Sequence, residues 1–184
     1  GGLDLRRYKG EHYEEIYDLL GGDYALDPDD KNRDPHTQLY EGDKIYYNND
    51  GIVQYGGFFA QMEYKSGNLS AFANLTGAIS GYKKVDYFAP KVMEVGDTTL
   101  YIEWGKPVEY NGVTYDQDSP GLQYQESDWY WKPGFTFKAG ANYNLTEKSN
   151  LFINAGYLSK APRFNNVYDR YSIALLSEIR NENI

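Results

Sequence analysis

Two long segments of the sequence alternate between apolar and polar residues, and few folds accommodate such a pattern. In residues 68–82 the odd positions, from Leu69 to Gly81, are apolar or small, whereas the even positions are mostly polar. Residues 129–145 repeat the alternation. Successive side chains of a β-strand point to opposite faces, so a period of two indicates a strand. Both segments exceed the roughly 4–8 residues of an ordinary strand.

The connections between the predicted strands alternate in length. Residues 51–65 and 151–158 give two further strands, and tight turns at 66–68 and 146–150 join the four strands into two hairpins. Between the hairpins lies a long connection, 83–128, and about 50 residues precede the first strand. Short turns at one end and long loops at the other are typical of an antiparallel transmembrane β-barrel.

The aromatic residues agree with a membrane barrel. The chain has 20 Tyr and 3 Trp, and Tyr64, Trp131 and Tyr143 lie near strand ends, where interfacial aromatic girdles occur. A soluble antiparallel sandwich or small barrel would also alternate. Strand length and the absence of turns every 8–12 residues argue against that alternative.

Composition excludes several classes of protein. The net charge of −9 and the pI near 4.7 argue against a nucleic-acid-binding protein, because binding to phosphates requires a basic surface. Cysteine is absent, which excludes disulfides, thiolate metal sites and cysteine nucleophiles. The longest uncharged stretch, 66–82, is interrupted by polar residues, so no spanning helix is expected.

The first acidic block, residues 1–50, is predicted to contain one short helix. Over residues 10–22, four residues share a helical face, Glu residues enrich the first turn and two glycines end the segment. The residues on that face are Tyr13, Ile16, Tyr17 and Leu20.

The second acidic block, residues 83–127, is predicted to contain short strands at 100–104 and 108–115. The sequence Tyr110-Asn111-Gly112-Val113 predicts a hairpin with a type I′ turn.

No catalytic, metal or cofactor site is predicted. The cluster formed by Asp27, Asp29, Asp30 and Asp34 has a proline and lacks the glycine of a calcium loop, so a solvated acidic loop is favoured over a cation site. Carboxylate pairs are expected by chance among 27 acidic residues. The sequence has no glycine-rich phosphate-binding loop, no Gly-x-Ser-x-Gly nucleophile elbow and no pair of histidines on one helix face. Loop tyrosines either pack the loops or stack on a ligand, with packing favoured.

Three segments resemble barrel strands of TonB-dependent outer-membrane receptors, in the style of those from Bacteroidetes. They are residues 50–64, 137–146 and 150–157. Residues 159–167 are similar to the family's "Tyr-x-x-Gly-x-Arg-Ala-Pro" region, although here Lys160 stands in place of the usual arginine. Residues 181–184 resemble the start of the family's "Asn-x-x-Leu-x-Pro-Glu" segment.

The resemblance implies a function. Family members form 22-stranded barrels closed by an N-terminal plug, and they import a siderophore, vitamin or glycan with energy from TonB. The chain is therefore expected to be a mid-barrel fragment located in the bacterial outer membrane, and not an enzyme. Its expected partners are the lipid bilayer, the missing plug and remaining barrel, the TonB complex through an absent N-terminal region, and a small extracellular ligand. A surface lipoprotein is a further candidate partner, whereas nucleic acid is not.

The resemblance also gives meaning to the two strand faces. The lipid-facing residues are expected to be Leu69, Leu75, Ile79, Phe135, Phe137, Leu151 and Ile153. The lumen-facing residues are expected to be Ser70, Asn74, Thr76, Thr136, Lys138, Asn142 and Asn154. The ligand-binding residues are left open.

The chain is accordingly divided into five parts. They are an acidic extracellular loop with the short helix (1–50), a barrel hairpin (51–82), an extracellular loop with a small hairpin (83–128), a second barrel hairpin (129–164) and the start of the next extracellular loop or strand (165–184). The alternative function is a soluble secreted β-protein that binds carbohydrate through tyrosine-rich loops. Non-transporting outer-membrane barrels, such as an adhesin, are a third candidate class.

Overall fold

A computed structural model describes residues 1–176 and shows an all-β protein with antiparallel sheets. The final part of the predicted segment 165–184, including residues 181–184, lies outside the described residues. The strands are β1 (Gly2–Glu15), β2 (Lys44–Ser66), β3 (Leu69–Asp86), β4 (Lys91–Val95), β5 (Thr98–Ile102), β6 (Val108–Tyr110), β7 (Val113–Tyr115), β8 (Gln125–Glu126), β9 (Tyr130–Thr146) and β10 (Ser149–Ser159). A short 3₁₀ helix covers Phe164–Asn166.

Five long strands form the main sheet in the order β1-β2-β3-β9-β10, and β8 pairs with the end of β3. Two small hairpins, β4-β5 and β6-β7, form separate sheets. The path through the main sheet is open, and no closed barrel is present among residues 1–176. Within the same residues, no helix has the length and apolar character required to cross a membrane.

The chain divides into two compact units. The sheet unit comprises Gly1–Tyr8, Val53–Tyr82 and Trp129–Arg163. Among the described residues, the loop unit comprises Lys9–Ile52, Lys83–Asp128 and 164–176. Strands β1, β2 and β3 each contribute residues to both units.

Buried apolar side chains belong almost entirely to the loop unit. Within the described part of the chain, Tyr82 is the one buried hydrophobic residue of the sheet unit. The others are Ile16, Leu39, Phe88, Leu100, Ile102, Val167 and Tyr168. The loop unit therefore has the core of an ordinary folded body, whereas the long strands of the sheet unit leave their apolar side chains exposed.

The tight turns have the geometry that their residues favour. Gly67 has a φ of 55° at the first central position of the β2-β3 turn, as a type II′ turn requires. Asn111 and Gly112 have φ values of 52° and 75° between β6 and β7. Two consecutive positive φ values define the type I′ turn that the sequence predicts.

The predicted helix at 10–22 is wrong. Residues Gly2–Glu15 form β1 and pair with β2, which adds a long strand where a loop was expected. Ile16 continues this pairing, since its amide donates to Asp43 and its carbonyl accepts from Gly42. A short amphipathic helix gains little in isolation, so a neighbouring strand with open hydrogen-bonding groups overrides helical preference. The glycine pair lies beyond the end of β1, in a turn where Gly21 has a φ of 85°.

Candidate functional site

The residues predicted to face lipid and those predicted to face the lumen lie on opposite faces of the sheet unit. The register pairs Leu75 with Phe137 and Phe137 with Tyr157 across β3, β9 and β10. On the other face it pairs Asn74 with Lys138. Directly opposed residues of antiparallel strands point to the same side. Because the register joins odd positions to odd positions, each predicted set is continuous across the three strands. The assignment of one face to lipid and the other to the lumen stays a prediction.

The face that carries the predicted lipid-facing residues is both apolar and exposed. The exposed fraction is 44% for Leu75, 47% for Phe137 and 71% for Ile153. Leu151, Ile79 and Phe135 are likewise exposed. Soluble monomers rarely leave a large contiguous apolar patch uncovered, so such a face indicates a contact with lipid or with another protein.

Aromatic rings cover the glycines on this same face. A Cβ atom on Gly77 would lie 2.5 Å from Cε1 of Phe58, and a Cβ atom on Gly81 would lie 2.5 Å from Cζ3 of Trp131. Each ring therefore occupies the space that a side chain would need. Pairing a glycine with a ring in this way keeps the face packed although its residues differ in size.

The opposite face carries the predicted polar residues together with the exposed Phe152 and Leu158, and it has a shallow depression near the tight turns. Ser70, Asn142 and Asn154 line this depression, which has a volume of about 470 Å³. Thr76 lies directly opposite Thr136 on the same face. The Oδ1 atom of Asn74 is buried there without a hydrogen-bond partner. The predicted lumen-facing residues thus share one face of the sheet, as their alternation requires.

The loop unit contains a separate cleft of about 380 Å³. Its walls include the rings of Tyr47 and Phe164, and the buried side chains of Asn49 and Lys84. His12 stacks on Phe164 with nearly parallel planes, 5° apart, and a centroid separation of 6.1 Å. This cleft combines flat apolar rings with polar groups, as small-molecule sites do.

Lys84 forms hydrogen bonds to the backbone of one wall of the cleft. Its Nζ atom donates to the carbonyl oxygens of Asp169 and Arg170 at 2.9 Å each, and to that of Ser172 at 2.8 Å. The three hydrogens of the ammonium group therefore have three acceptors. Burial lowers the pKa of Lys84, and the nearby carboxylates of Asp86 and Asp169 oppose that shift.

Arg170 lies at the rim of the cleft, against the ring of Tyr47. Its guanidinium carbon is 4.5 Å from the ring centroid, and Nη2 donates to the Tyr47 hydroxyl at 3.1 Å. The same nitrogen donates to Oε1 of Glu14 at 2.6 Å. A planar cation stacked on a ring and held by two acceptors is a restrained group.

The acidic cluster of the first loop organises the backbone. The buried Asp27 carboxylate accepts from the amides of Asp29 and Tyr46 at 3.0 and 2.8 Å, and it pairs with Arg33 at 3.4 Å. Burial raises the pKa of Asp30. Among residues 1–176, no group of three or more acidic or histidine side chains is arranged to hold a metal ion.

A second buried carboxylate connects three parts of the loop unit. Asp50 accepts from the ammonium group of Lys9 at 2.7 Å and from the hydroxyl of Tyr87. Burial, reinforced by the hydrogen bond to Asp50, raises the pKa of Tyr87 to about 12.

Sequence reasoning missed the cleft altogether. Its residues come from β1, β2, β3 and the segment after Arg163, which lie far apart in the chain. Lys84 and Arg170 carry no local motif, and only their joint placement gives them a role.

Comparisons of the chain with protein-family models, with curated proteins and with solved structures find no match.

Proposed function

We propose that this chain is part of a TonB-dependent outer-membrane receptor of the Bacteroidetes type, which binds an extracellular ligand and imports it with TonB-supplied energy. The sheet unit would form part of the barrel wall, and the loop unit would belong to the extracellular side. The proposal assigns no catalysis to the chain. The resemblance of its strand segments to this family supplies the receptor part of the proposal.

The main support is the length of the exposed apolar face. Along β9 this face runs from Trp131 to Tyr143, with aromatic residues at both ends. Twelve residue steps at about 3.3 Å each span roughly 40 Å along the strand. A strand tilted by about 45° would then cover roughly 28 Å of membrane, close to the apolar band of about 25 Å in outer-membrane barrels.

The distribution of burial also supports a membrane role for the sheet unit. In water, the exposed Leu75, Phe137 and Ile153 would cost free energy in proportion to their apolar area. In lipid the same residues are solvated by hydrocarbon, whereas Lys138 and Asn142 remain on the opposite face. A wall with lipid on one side and water on the other has this composition.

The open sheet requires neighbours in a membrane. β1 and β10 end the path of the sheet, and unpaired backbone groups are costly in hydrocarbon. The remaining barrel strands of the parent protein would supply the partners for these edges, and a plug would close the barrel. Placement in the outer membrane and contact with the lipid bilayer and the TonB complex follow from the same proposal.

The second candidate is a soluble secreted β-protein that binds carbohydrate through tyrosine-rich loops. The observation in its favour is the core of the loop unit, which is independent of any lipid, together with the aromatic cleft. The exposed apolar face of the sheet unit is the observation against it.

Fractionation of the host separates the two candidates. An antibody raised against this chain should detect a protein much larger than 21.1 kDa in the outer-membrane fraction, with a mobility that shifts on boiling. A soluble band near 21 kDa would contradict the receptor proposal and favour the secreted β-protein. A large outer-membrane protein whose gene encodes no plug would point to a non-transporting barrel.

A further inference from the structure

The apolar face of the sheet unit has a groove that an arginine borders. The groove has a volume of about 540 Å³, and its lining includes Leu5, Arg7, Gly56, Ile79 and Trp131. All five residues belong to the sheet unit. Leu5 is 81% exposed and Ile79 is 46% exposed, so the groove is an open apolar surface and not an internal cavity.

Arg7 projects from the same face as the apolar residues. A Cβ atom on Gly56 would lie 3.4 Å from Cδ2 of Leu5. Gly56 precedes Phe58 by two residues, and the ring of Phe58 covers Gly77 on the apolar face. Because side chains alternate along a strand, Leu5 lies on that face, and so does Arg7 two residues later.

The positive charge of Arg7 lacks a counter-ion within the described part of the chain. The adjacent Arg6 donates from Nε to Oδ1 of Asp4 at 2.9 Å. By contrast, no carboxylate of residues 1–176 lies within ion-pairing distance of Arg7. A charge on an otherwise apolar face is costly in a membrane unless it is paired, so we expect the partner of Arg7 to come from its surroundings.

The groove lies at the end of the apolar face that the proposed function places toward the outer leaflet. Arg7 lies in β1 one residue before the sheet unit ends at Tyr8, and Trp131 is the second residue of β9. Tryptophan rings favour the boundary between hydrocarbon and headgroups. Arginine lays its stem along apolar surface and keeps its guanidinium group at the headgroup level. Its planar fork matches the oxygen atoms of a phosphate group.

We propose that this groove is a specific site for a membrane lipid with an anionic phosphate headgroup, with Arg7 binding the phosphate and an acyl chain lying over Gly56. Leu5 and Ile79 would contact the sides of that acyl chain. Gly56 has no side chain to occupy its path. The inference rests on the proposed function, because it requires the apolar face to contact lipid. It goes beyond general contact with a bilayer, since it assigns one headgroup class to one position.

Quenching of tryptophan fluorescence by brominated lipids tests the inference. The full chain, held in micelles of an uncharged detergent, carries Trp104→Phe and Trp129→Phe so that Trp131 in the groove is its one tryptophan. The probes are phosphatidylglycerol, phosphatidylcholine and diacylglycerol with the same brominated acyl chains. Phosphatidylglycerol should quench at about fivefold lower concentration than the others, because one cation near an anionic headgroup contributes about that factor. Equal quenching by all three probes would overturn the proposal.

Competition with glycerol 3-phosphate distinguishes a lipid from a free phosphate compound. An excess of this soluble headgroup should leave the quenching by brominated phosphatidylglycerol unchanged, since the acyl chain contributes to binding. Loss of quenching would show that the headgroup alone is the ligand and would overturn the lipid assignment.

Variants place the binding at Arg7. Arg7→Gln should abolish the preference for phosphatidylglycerol. The matched control is Lys132→Gln, which removes one positive charge from the residue next to Trp131. Lys132 pairs with Ser80 on the other face and does not line the groove, so the preference should remain. Retention of the preference by Arg7→Gln, or an equal loss in the control, would exclude Arg7 as the phosphate ligand.

A second variant tests the path of the acyl chain. Gly56→Leu should weaken quenching by brominated phosphatidylglycerol, because the new side chain would fill the floor of the groove. Circular dichroism checks that this variant keeps its strands, and Arg7→Gln decides the proposal if it does not. Unchanged quenching in a folded Gly56→Leu variant would show that the acyl chain lies elsewhere.

Flotation with phosphatidylcholine vesicles separates this inference from the proposed function. A chain that floats with these vesicles but shows no headgroup preference would leave the membrane proposal standing and refute the site. A chain that prefers phosphatidylglycerol in micelles but stays in the soluble fraction would refute the barrel proposal and leave the site.

Discussion

The ammonium group of Lys84 donates to the carbonyl oxygen of Arg170 across a separation of 86 residues in sequence, at a distance of 2.9 Å. Lys84 is 1% exposed, and the carbonyls of Asp169 and Ser172 complete its hydrogen bonding. One side chain of β3 therefore holds the turn that brings a guanidinium group onto Tyr47. The contact links the core of the loop unit to the cleft.

Replacement of Lys84 by methionine is expected to destabilise the loop unit by about 3 kcal/mol, because three carbonyl groups would lose their donor in a buried site. Urea unfolding followed by tyrosine fluorescence measures the change. The control is Lys83→Met, the same substitution at the adjacent residue. Lys83 pairs with the exposed Glu126, so its loss should cost less than about 1 kcal/mol. Equal effects at the two positions would show that the three carbonyl contacts contribute little.

A lysine at position 75 should disfavour membrane insertion, whereas one at position 74 should not. Leu75 and Asn74 are adjacent residues of β3 on opposite faces. A basic residue on the lipid face costs about 2–4 kcal/mol near the bilayer midplane. Reversible refolding into lipid vesicles compares Leu75→Lys with Asn74→Lys. Similar insertion by both variants would contradict the assignment of the faces.

Gly81→Ala is expected to destabilise the sheet unit by about 1–3 kcal/mol, because the new methyl group would meet the ring of Trp131. Gly56→Ala is the matched control, since its added Cβ would lie at an ordinary distance of 3.4 Å from Leu5. Thermal unfolding in detergent gives both values. Trp131→Ala in the Gly81→Ala background should recover part of the loss. If the double variant loses as much stability as the two single variants together, steric conflict with this ring is not the cause.

The hydrogen bond from Tyr87 to Asp50 is expected to stabilise the loop unit only below strongly alkaline pH. The pKa of Tyr87 rises from 10.0 to about 12, because burial and the neighbouring Asp50 disfavour the phenolate. A raised folded-state pKa contributes stability that is complete below pH 10 and is lost as the pH rises toward 12. Glu11 and Tyr124 also face this hydroxyl group and act in the same direction.

Comparison with Tyr87→Phe isolates this effect from general alkaline unfolding. The difference in unfolding free energy between the two proteins should be constant below pH 10 and should shrink between pH 10 and pH 12. The absorbance of tyrosinate should show one late-titrating group that the variant lacks. A constant difference across that range would mean that Tyr87 titrates normally.

Local chemistry was sufficient to predict much of the sheet unit. A period of two depends only on the alternation of side chains along one strand, so β2, β3, β9 and β10 and the division of their faces could be read from residue order. Turn types depend on a few adjacent residues, as at Asn111 and Gly112. The register then brought Leu75 beside Phe137 and Asn74 beside Lys138, in agreement with the alternation.

The sequence by itself determined β2, β3, β9 and β10, the tight turns and the two faces, because each depends on neighbours in the chain. Tertiary structure decided that Gly2–Glu15 form β1, where the sequence predicted a loop with a short helix, since backbone hydrogen bonds to β2 outweigh a weak helical preference. It also decided the cleft, where Tyr47, Lys84 and Arg170 meet from three distant segments. No residue near any of the three in sequence signals that meeting. Long-range packing supplies it, because the free energy of burying Lys84 is offset only when the carbonyls of the 169–172 turn surround it.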